Sequence, residues 1–489
     1  MVIVESAENW PGRKKSQCKV VGGEKKWDRE TSSLVRDVLK SQYMSAGIPL
    51  PSTFEKLNFE NVRTVTVGHQ LQLFGGPAFL HYKVITAIRK ASELGSIPVF
   101  WLASEDHDFA EVQWAFGESE KHLWKVDHRG EEVGRMTLKG LLEVYESWSN
   151  DLEEDVSDIK ILLDYSIQKE HTYSQFFTRL LNHWYGEKGL VVIDASHIKL
   201  KKHFYKILAQ ELEGNGISKL VSSGKVVPRD VNLFYSQFGR KRIGIIITER
   251  GVESGGEIIN KDGISWEEWS RENACALSPS VLLRPVYQEF LLPNSHVVLG
   301  PSELKYWTQL KDVFESLGIV MPTLYLRDHV LVLSRKDYDL YRKLGWEIEK
   351  GWWTQDDFIR IMVDSEFERR CGVGIEEIEK DEVLVKVLEI MRIEFGAELK
   401  GDDLNAKARK KLRKTAIKKV RRLLKEGISK EVEELISAHS RVMNNKIPQD
   451  RWANFHVLSK SVGGFKKLRD KLLETKGAES PVMQIIVGE

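Results

Sequence analysis

The sequence predicts an α/β protein whose core is a parallel sheet, followed by a mainly helical region. Two observations carry that reading. A strand, helix, strand pattern spans residues 63–103, and further apolar strand-like runs return at 189–194, 296–300 and 321–333, separated by stretches of different texture.

The first run, 63–67 (RTVTV), reads as a short buried strand, and Gly68 to Pro77 as a glycine-containing loop. In 78–94, Leu80, Val84, Ile88 and Ala91 recur at helical spacing, Pro77 suits a first helical turn, and Gly95 closes the helix. Residues 97–103 (IPVFWLA) form a continuous apolar run, as expected of a strand covered on both faces. This order predicts a right-handed parallel unit.

A charged stretch from about 118 to 160 interrupts the pattern and reads as an insertion; a helix at 172–185 then leads to the strand 189–194 (GLVVID). Between about 215 and 275 the texture changes to short strands such as 243–248 and a glycine-rich turn at 251–256. This predicts a second insertion with a small sheet of its own. Core texture resumes at 296–300, with a helix near 303–317 and an extended run at 321–333. Beyond about 355 the pattern is helical, with Val383, Val387 and Ile390 on one stripe and Leu412, Ala416, Val420 and Leu423 on another, as in an antiparallel helical hairpin.

At 489 residues with 42% hydrophobic side chains, the chain can bury two or three structural units. Lys and Arg (73) nearly cancel Asp and Glu (72), which argues against a dominant nucleic-acid or membrane field. Cys18, Cys275 and Cys371 are far apart and match neither a disulfide framework nor a zinc pattern. The first residues lack the apolar core of an export signal, and no window approaches the ~18 apolar residues of a membrane span. A cytoplasmic location is therefore expected.

Two polar clusters follow consecutive predicted strands: Gly68-His69-Gln70 and Ser104-Glu105-Asp106-His107-Asp108. In a parallel open sheet both lie at the carboxyl edge, where ligands bind between neighbouring strands. The Glu105 to Asp108 run could orient an amine, act as acid and base, or hold a divalent cation, although a helix cap with a solvated loop has the same composition. His69 and Gln70 suit hydrogen bonding to a carboxylate or a developing oxyanion. Phe74, Gly75, Gly76 and Pro77 bring backbone and a helix N-terminus toward the same crevice, an arrangement that attracts phosphate or carboxylate, with Lys83 on that helix. Arg284 could clamp a carboxylate or form a buried ion pair; Gln288, Glu303, Tyr306 and Gln309 place further polar groups among apolar neighbours. Residues 407–425 carry eleven basic and no acidic side chains, the composition of a nucleic-acid arm. Their embedded apolar stripe favours instead a helix whose basic face is solvated or meets the acidic segment 376–394.

GHQLQLFGGPAFLHYK followed by PVFWLASEDHDFAEV closely resembles the signature region of the BshC proteins of bacillithiol biosynthesis. The resemblance continues through FFTRLLNHWYGEKGLVVID, VNLFYSQFGRKRI, LSPSVLLRPVYQEFLLP, GPSELKYWTQL and IPQDRWANF, from about residue 60 to about 487. It implies a Rossmann-like, nucleotidylyl-transferase-like core in three parts (1–125, 161–214, 276–350), connecting insertions at 126–160 and 215–275, and a dimerising helical coiled-coil domain with a tail (351–489). His69 and His81 are approximate counterparts of the HIGH motif of that superfamily, and Ser334-Arg335-Lys336 is the nearest candidate for its lysine loop. The implied activity is a ligase reaction joining the carboxyl of cysteine to the amine of glucosaminyl malate, with ATP-dependent activation, ATP or ADP as the nucleotide and no metal. His69, Gln70, Asp106 and His107 are the expected catalytic groups. Gly68, Phe74, Gly75, Gly76, Lys83, Glu105, Asp108, Arg284, Gln288, Glu303, Tyr306 and Gln309 are the expected substrate contacts. Another nucleotidylyl or acyl transferase on the same fold, or a nucleic-acid-binding dimer using 407–425, are the alternatives.

Overall fold

The computed structural model describes residues 3–7, 25–58, 61–128, 130–152, 154–214, 216–236, 241–260, 263–346, 354–372, 374–375, 406–444, 447–475 and 483–488. The chain divides into two compact units, one of residues 15–332 with 450–484, the other of residues 1–14, 333–449 and 485–489.

The larger unit is organised by five parallel strands: β1 (Thr64–His69), β2 (Ile97–Leu102), β3 (Val191–Asp194), β4 (Asn294–Leu299) and β5 (Thr323–Leu326). They lie side by side in the order β3-β2-β1-β4-β5. The chain thus builds outward from β1 in one direction and then, after β3, in the other, which leaves a crevice at the carboxyl ends of β1 and β4. The register aligns those ends, pairing Gly68 with Trp101 and Val67 with Val298. The predicted run 321–333 divides in two, because buried Arg327 and Asp328 turn the chain between β5 and a separate strand at His329–Leu333.

The helix Phe79–Glu93 follows β1 and ends at Gly95, whose φ of 63° suits glycine. Its Leu80, Val84, Ile88 and Ala91 are buried as the spacing predicts. The opposite face is buried too, including His81, Tyr82 and Lys83. The covering comes from the C-terminal segment: Ala78 N donates to Ala453 O, Phe455 and Phe465 pack on His81, and Arg469 Nη1 donates to Trp184 O at 2.5 Å. The expected single region 351–489 is therefore divided. Its residues 450–475 belong with the sheet unit, because their apolar side chains close the outer face of that helix.

Residues 233–279 carry an antiparallel sheet of Leu233–Tyr235, Ile243–Thr248, Gly251–Ser254, Glu257–Ile258 and Leu277–Pro279, separate from the parallel one. Between 126 and 168 lie a short 3₁₀ turn at Val133–Arg135 and the helices Leu141–Asn150 and Ser157–Gln168.

In the smaller unit, the helices Gln355–Cys371, Ala406–Gly427 and Ser429–Val442 pack together. Ala416, Val420 and Leu424 are buried, and Arg421 grips Asp364 with two bonds of 2.8 Å. The expected acidic partner at 376–394, with Val383, Val387 and Ile390, lies outside the described residues.

Candidate functional site

A cavity of about 410 Å³ opens at the crevice between the ends of β1 and β4. Its floor is Gly68, His69 and Trp101; its walls come from the loop after β2 (Asp106, His107), the helix Arg284–Leu291 (Arg284, Gln288) and the helix Pro301–Trp307 (Glu303, Tyr306, Trp307). Glu303 with Tyr306 and Trp307 share one helical face by their spacing of three and four. A Cβ at Gly68 would sit 3.7 Å from Gln288 Oε1, an ordinary contact, so the approach of that helix does not itself require glycine here.

Two carboxylates line the cavity side by side. Gln70 Nε2 donates to Asp106 Oδ2 and to Glu111 Oε2, at 2.9 Å each, so one amide holds two carboxylates together. Burial works against ionisation of Asp106, but Arg284, whose guanidinium is 3.8 Å away, and the Gln70 bond hold its carboxyl below the usual range. It is ionised at neutral pH and oriented by the His107 N–H, which donates to Oδ1 at 2.9 Å.

Arg229, Arg242 and Arg284 all line the cavity. Arg242 is held from three sides: it donates to Ser278 Oγ, Pro279 O and His107 Nδ1, and its guanidinium lies 3.8 Å from the centre of the Phe234 ring. Arg229 stacks on the same ring at 4.6 Å. With Nδ1 accepting from Arg242, the His107 proton sits on Nε2, and burial and then the Arg242 charge keep its pKa below the ordinary value.

His69 Nδ1 is 3.1 Å from Gln70 O, so it donates there and leaves a lone pair on Nε2. Burial, then Lys83, pushes its pKa down to about 4. An unfolded histidine titrates near ~6.5, so the unfolded chain binds more protons between that pH and 4. Stability is therefore expected to fall as pH drops through this window. His69→Asn should flatten that part of the curve in urea titrations, and an unchanged slope would refute the assignment.

Several expected contacts stand elsewhere. Lys83 is buried beneath the floor, donating to Gly68 O at 2.8 Å and to Glu303 Oε1 at 3.0 Å, so it supports the cavity rather than lining it. Glu105 turns away from the cavity to pair with Lys201. Asp108 is exposed at the start of the next helical turn. Gln309 is buried against the loop 222–226, where its amide bonds Ser222 O, Val226 O and Val226 N.

Phe74, Gly75 and Gly76 form no phosphate cradle. Phe74, at φ 46°, stacks on Trp148, and a Cβ on Gly75 (φ 81°) would come 2.4 Å from His81 Nε2. The glycines serve the approach of this turn to buried side chains. Gly75→Ala is expected to lower the melting temperature by several degrees with KM unchanged in the folded fraction, which thermal melts and steady-state kinetics would check. Ser334 caps the helix Arg335–Lys343 in the smaller unit, and Lys336 pairs there with Glu434.

Arg229, Phe234, Arg242 and Glu111 line the cavity in addition to the residues the sequence predicts. VNLFYSQFGRKRI, which contains Phe234 and Arg242, carried a family resemblance but no local pattern that assigns either side chain to the cavity. Glu132 was also missed: its turn braces the Asp106 loop, with Val133 N donating to Asp106 O at 2.7 Å and Gly134 N to Ser104 O at 2.8 Å. Burial and the Glu105 carboxylate push the Glu132 pKa upward.

Among the described residues no set of three or more His, Cys, Asp or Glu side chains is gathered as a metal site requires, and no helix is long and apolar enough to cross a membrane.

Residues 13–328 match the family model described as "Bacillithiol biosynthesis BshC, N-terminal Rossmann-like domain". A protein of Christiangramia forsetii named "Putative cysteine ligase BshC" is 28% identical over 495 residues, covering 92% of this chain and 88% of that protein. Proteins of the same name from Flavobacterium johnsoniae and Geobacillus thermodenitrificans are 32% identical (63% of this chain, 62% of that protein) and 29% identical (60% and 59%).

Proposed function

Since the chain belongs to the BshC family of bacillithiol biosynthesis, with a Rossmann-like domain matched over 13–328, we propose that its cavity joins the cysteine carboxyl to the amine of glucosaminyl malate. The observation that supports this best is the charged lining of the cavity, where the two carboxylates held by the Gln70 amide stand among three arginines, with Arg284 3.8 Å from Asp106.

An acceptor that carries both an amine and malate carboxylates matches such a cavity. Asp106 and Glu111 receive the amine as its ammonium form, and Arg284 and Arg229 bind the carboxylates, Arg284 also balancing Asp106. The amine must lose its proton before it can attack. His69, neutral with a lone pair on Nε2, and Asp106 are the groups that accept hydrogen bonds there. The N–H of His107 Nε2 is a donor suited to the oxygen of the reacting carboxyl. The protein's contribution is orientation of the two reactants and exclusion of competing arrangements.

A free carboxylate resists attack by an amine, so activation by ATP is part of the proposal on chemical grounds. The Gly75–Gly76 turn does not supply a phosphate cradle, and no phosphate contact is assigned.

Purified protein supplied with cysteine, glucosaminyl malate and ATP is expected to release a product whose mass equals the two reactants less one water. Product without nucleotide would rule out the activation step. No product from the wild type, with either substrate exchanged in turn for another amino acid or amino sugar that does react, would favour a different acyl transfer on the same fold.

A further inference from the structure

Residues 217–232 run as a strap from the end of the helix Tyr205–Leu212 to the antiparallel sheet and carry Arg229 to the cavity. Both roots of the strap are tied to one buried carboxylate. Glu211 Oε1 accepts from Ile217 N at 2.6 Å, and Oε2 accepts from Asn232 N at 2.8 Å. Asn232 in turn holds the backbone of Arg229 from both sides, its Oδ1 accepting from Arg229 N and its Nδ2 donating to Arg229 O at 3.1 Å.

The middle of the strap has a different anchor. Gln309, only 4% exposed, donates from Nε2 to Ser222 O at 2.8 Å and to Val226 O at 3.0 Å, and its Oε1 accepts from Val226 N at 3.1 Å. Ser222 N also donates to Gln309 O at 3.1 Å. Gly224 makes room for the amide, since a Cβ there would sit 2.5 Å from Gln309 Cδ. Three residues beyond this clamp, Arg229 lies across Gly244, where a Cβ would meet Arg229 Nη1 at 2.4 Å, and stacks on Phe234.

We propose that Gln309 is a positioning residue for substrate binding: by clamping residues 222–226 it sets the reach of Arg229, which together with Arg284 binds the anionic part of the acceptor. Gln309 sits on the turn just after the helix that carries Glu303 and Tyr306. The clamp therefore ties the strap to the same element that forms one cavity wall. The inference rests on the reading of the cavity as an anion-and-amine site. It adds that Arg229 is held by side-chain hydrogen bonds from outside the cavity, while Arg284 is held by its helix.

The test is steady-state kinetics on full-length protein carrying Arg229→Ala, Gln309→Ala or both. Arg229→Ala is expected to raise KM for glucosaminyl malate by about tenfold. Gln309→Ala should raise the same KM in the same range, with kcat within about twofold and KM for cysteine unchanged. The double variant should be no worse than Arg229→Ala alone, because both substitutions remove one interaction. Gly224→Ala, which displaces the clamp from the strap side, should reproduce the Gln309→Ala profile and serves if Gln309→Ala does not fold. An effect of Arg229→Ala without one from Gln309→Ala and Gly224→Ala would overturn the positioning role alone. Multiplicative effects in the double variant would also overturn it. No effect from Arg229→Ala would overturn the anion reading and the inference with it.

Discussion

Asp106→Asn is expected to lower kcat/KM by roughly two orders of magnitude while the protein remains folded, the range for losing one positioned acid–base or electrostatic group. The substitution keeps size and shape, and the carbonyl of Asn can still accept from the His107 N–H, as Asp106 Oδ1 does at 2.9 Å. The second oxygen becomes an NH2 group facing Gln70 Nε2 and, at 3.8 Å in the wild type, Arg284. Donor then meets donor, Gln70 is left with Glu111 alone, and Arg284 loses its nearest countercharge. The group that receives the amine is weakened and a carboxylate-binding arginine is released together. Because Asp106 titrates below the usual carboxylate range, its charge persists through weakly acidic pH, and the variant's deficit should be flat from about pH 5 to 8. Circular dichroism and a pH series of kcat/KM check both halves. A deficit that vanishes at pH 8 would show that another group carries the charge.

Lys83→Met is expected to cost stability on the order of 3 kcal/mol, the low end for breaking a buried pair, since Glu303 is partly exposed. Lys83 Nζ bonds Gly68 O, at the end of β1, and Glu303, on the first helical turn after β4. It thereby joins the two strand ends between which the cavity opens. Removing the ammonium leaves the Glu303 carboxylate beside a carbonyl oxygen with its main countercharge gone. Urea midpoints should show the loss, and Lys83→Met combined with Glu303→Gln should recover part of it. A single variant as stable as wild type would show that the pair contributes little.

The strands and the two clusters at their ends were readable because a buried parallel strand is a continuous apolar run, and the residues that follow it emerge at one edge. That logic places His69, Gln70, Asp106 and His107 around one cavity. It failed at Gly75 and Gly76, where glycine is required by the approach of His81 and Gln72 rather than by a ligand. It also could not reach Arg229 and Arg242, which arrive from the strap before the second sheet and from the residue just ahead of its strand Ile243–Thr248, well over a hundred residues downstream. Neither lies on a helical or strand period that points to the cavity. The sequence does not separate the segment 450–475 from the helical region, because an amphipathic helix has the same 3.6-residue pattern whatever it packs against. Lys83 reads as a polar group on the correct helix, but periodicity does not distinguish a side chain that faces a cavity from one that supports its floor.

The late return of residues 450–475 to the sheet governs the order in which the molecule can be completed. Ala78 and His81 are synthesised early, yet their partners Ala453, Phe455 and Phe465 follow more than 370 residues later. Throughout most of translation the helix after β1 therefore has one apolar face uncovered, and ring closure across so long a separation is slow compared with local helix formation. The strand ends can assemble on the nascent chain, but the outer wall of that helix closes only when its C-terminal portion leaves the ribosome. A chain that terminates before residue 450 would carry the cavity residues and lack the surface that keeps their supporting helix out of water.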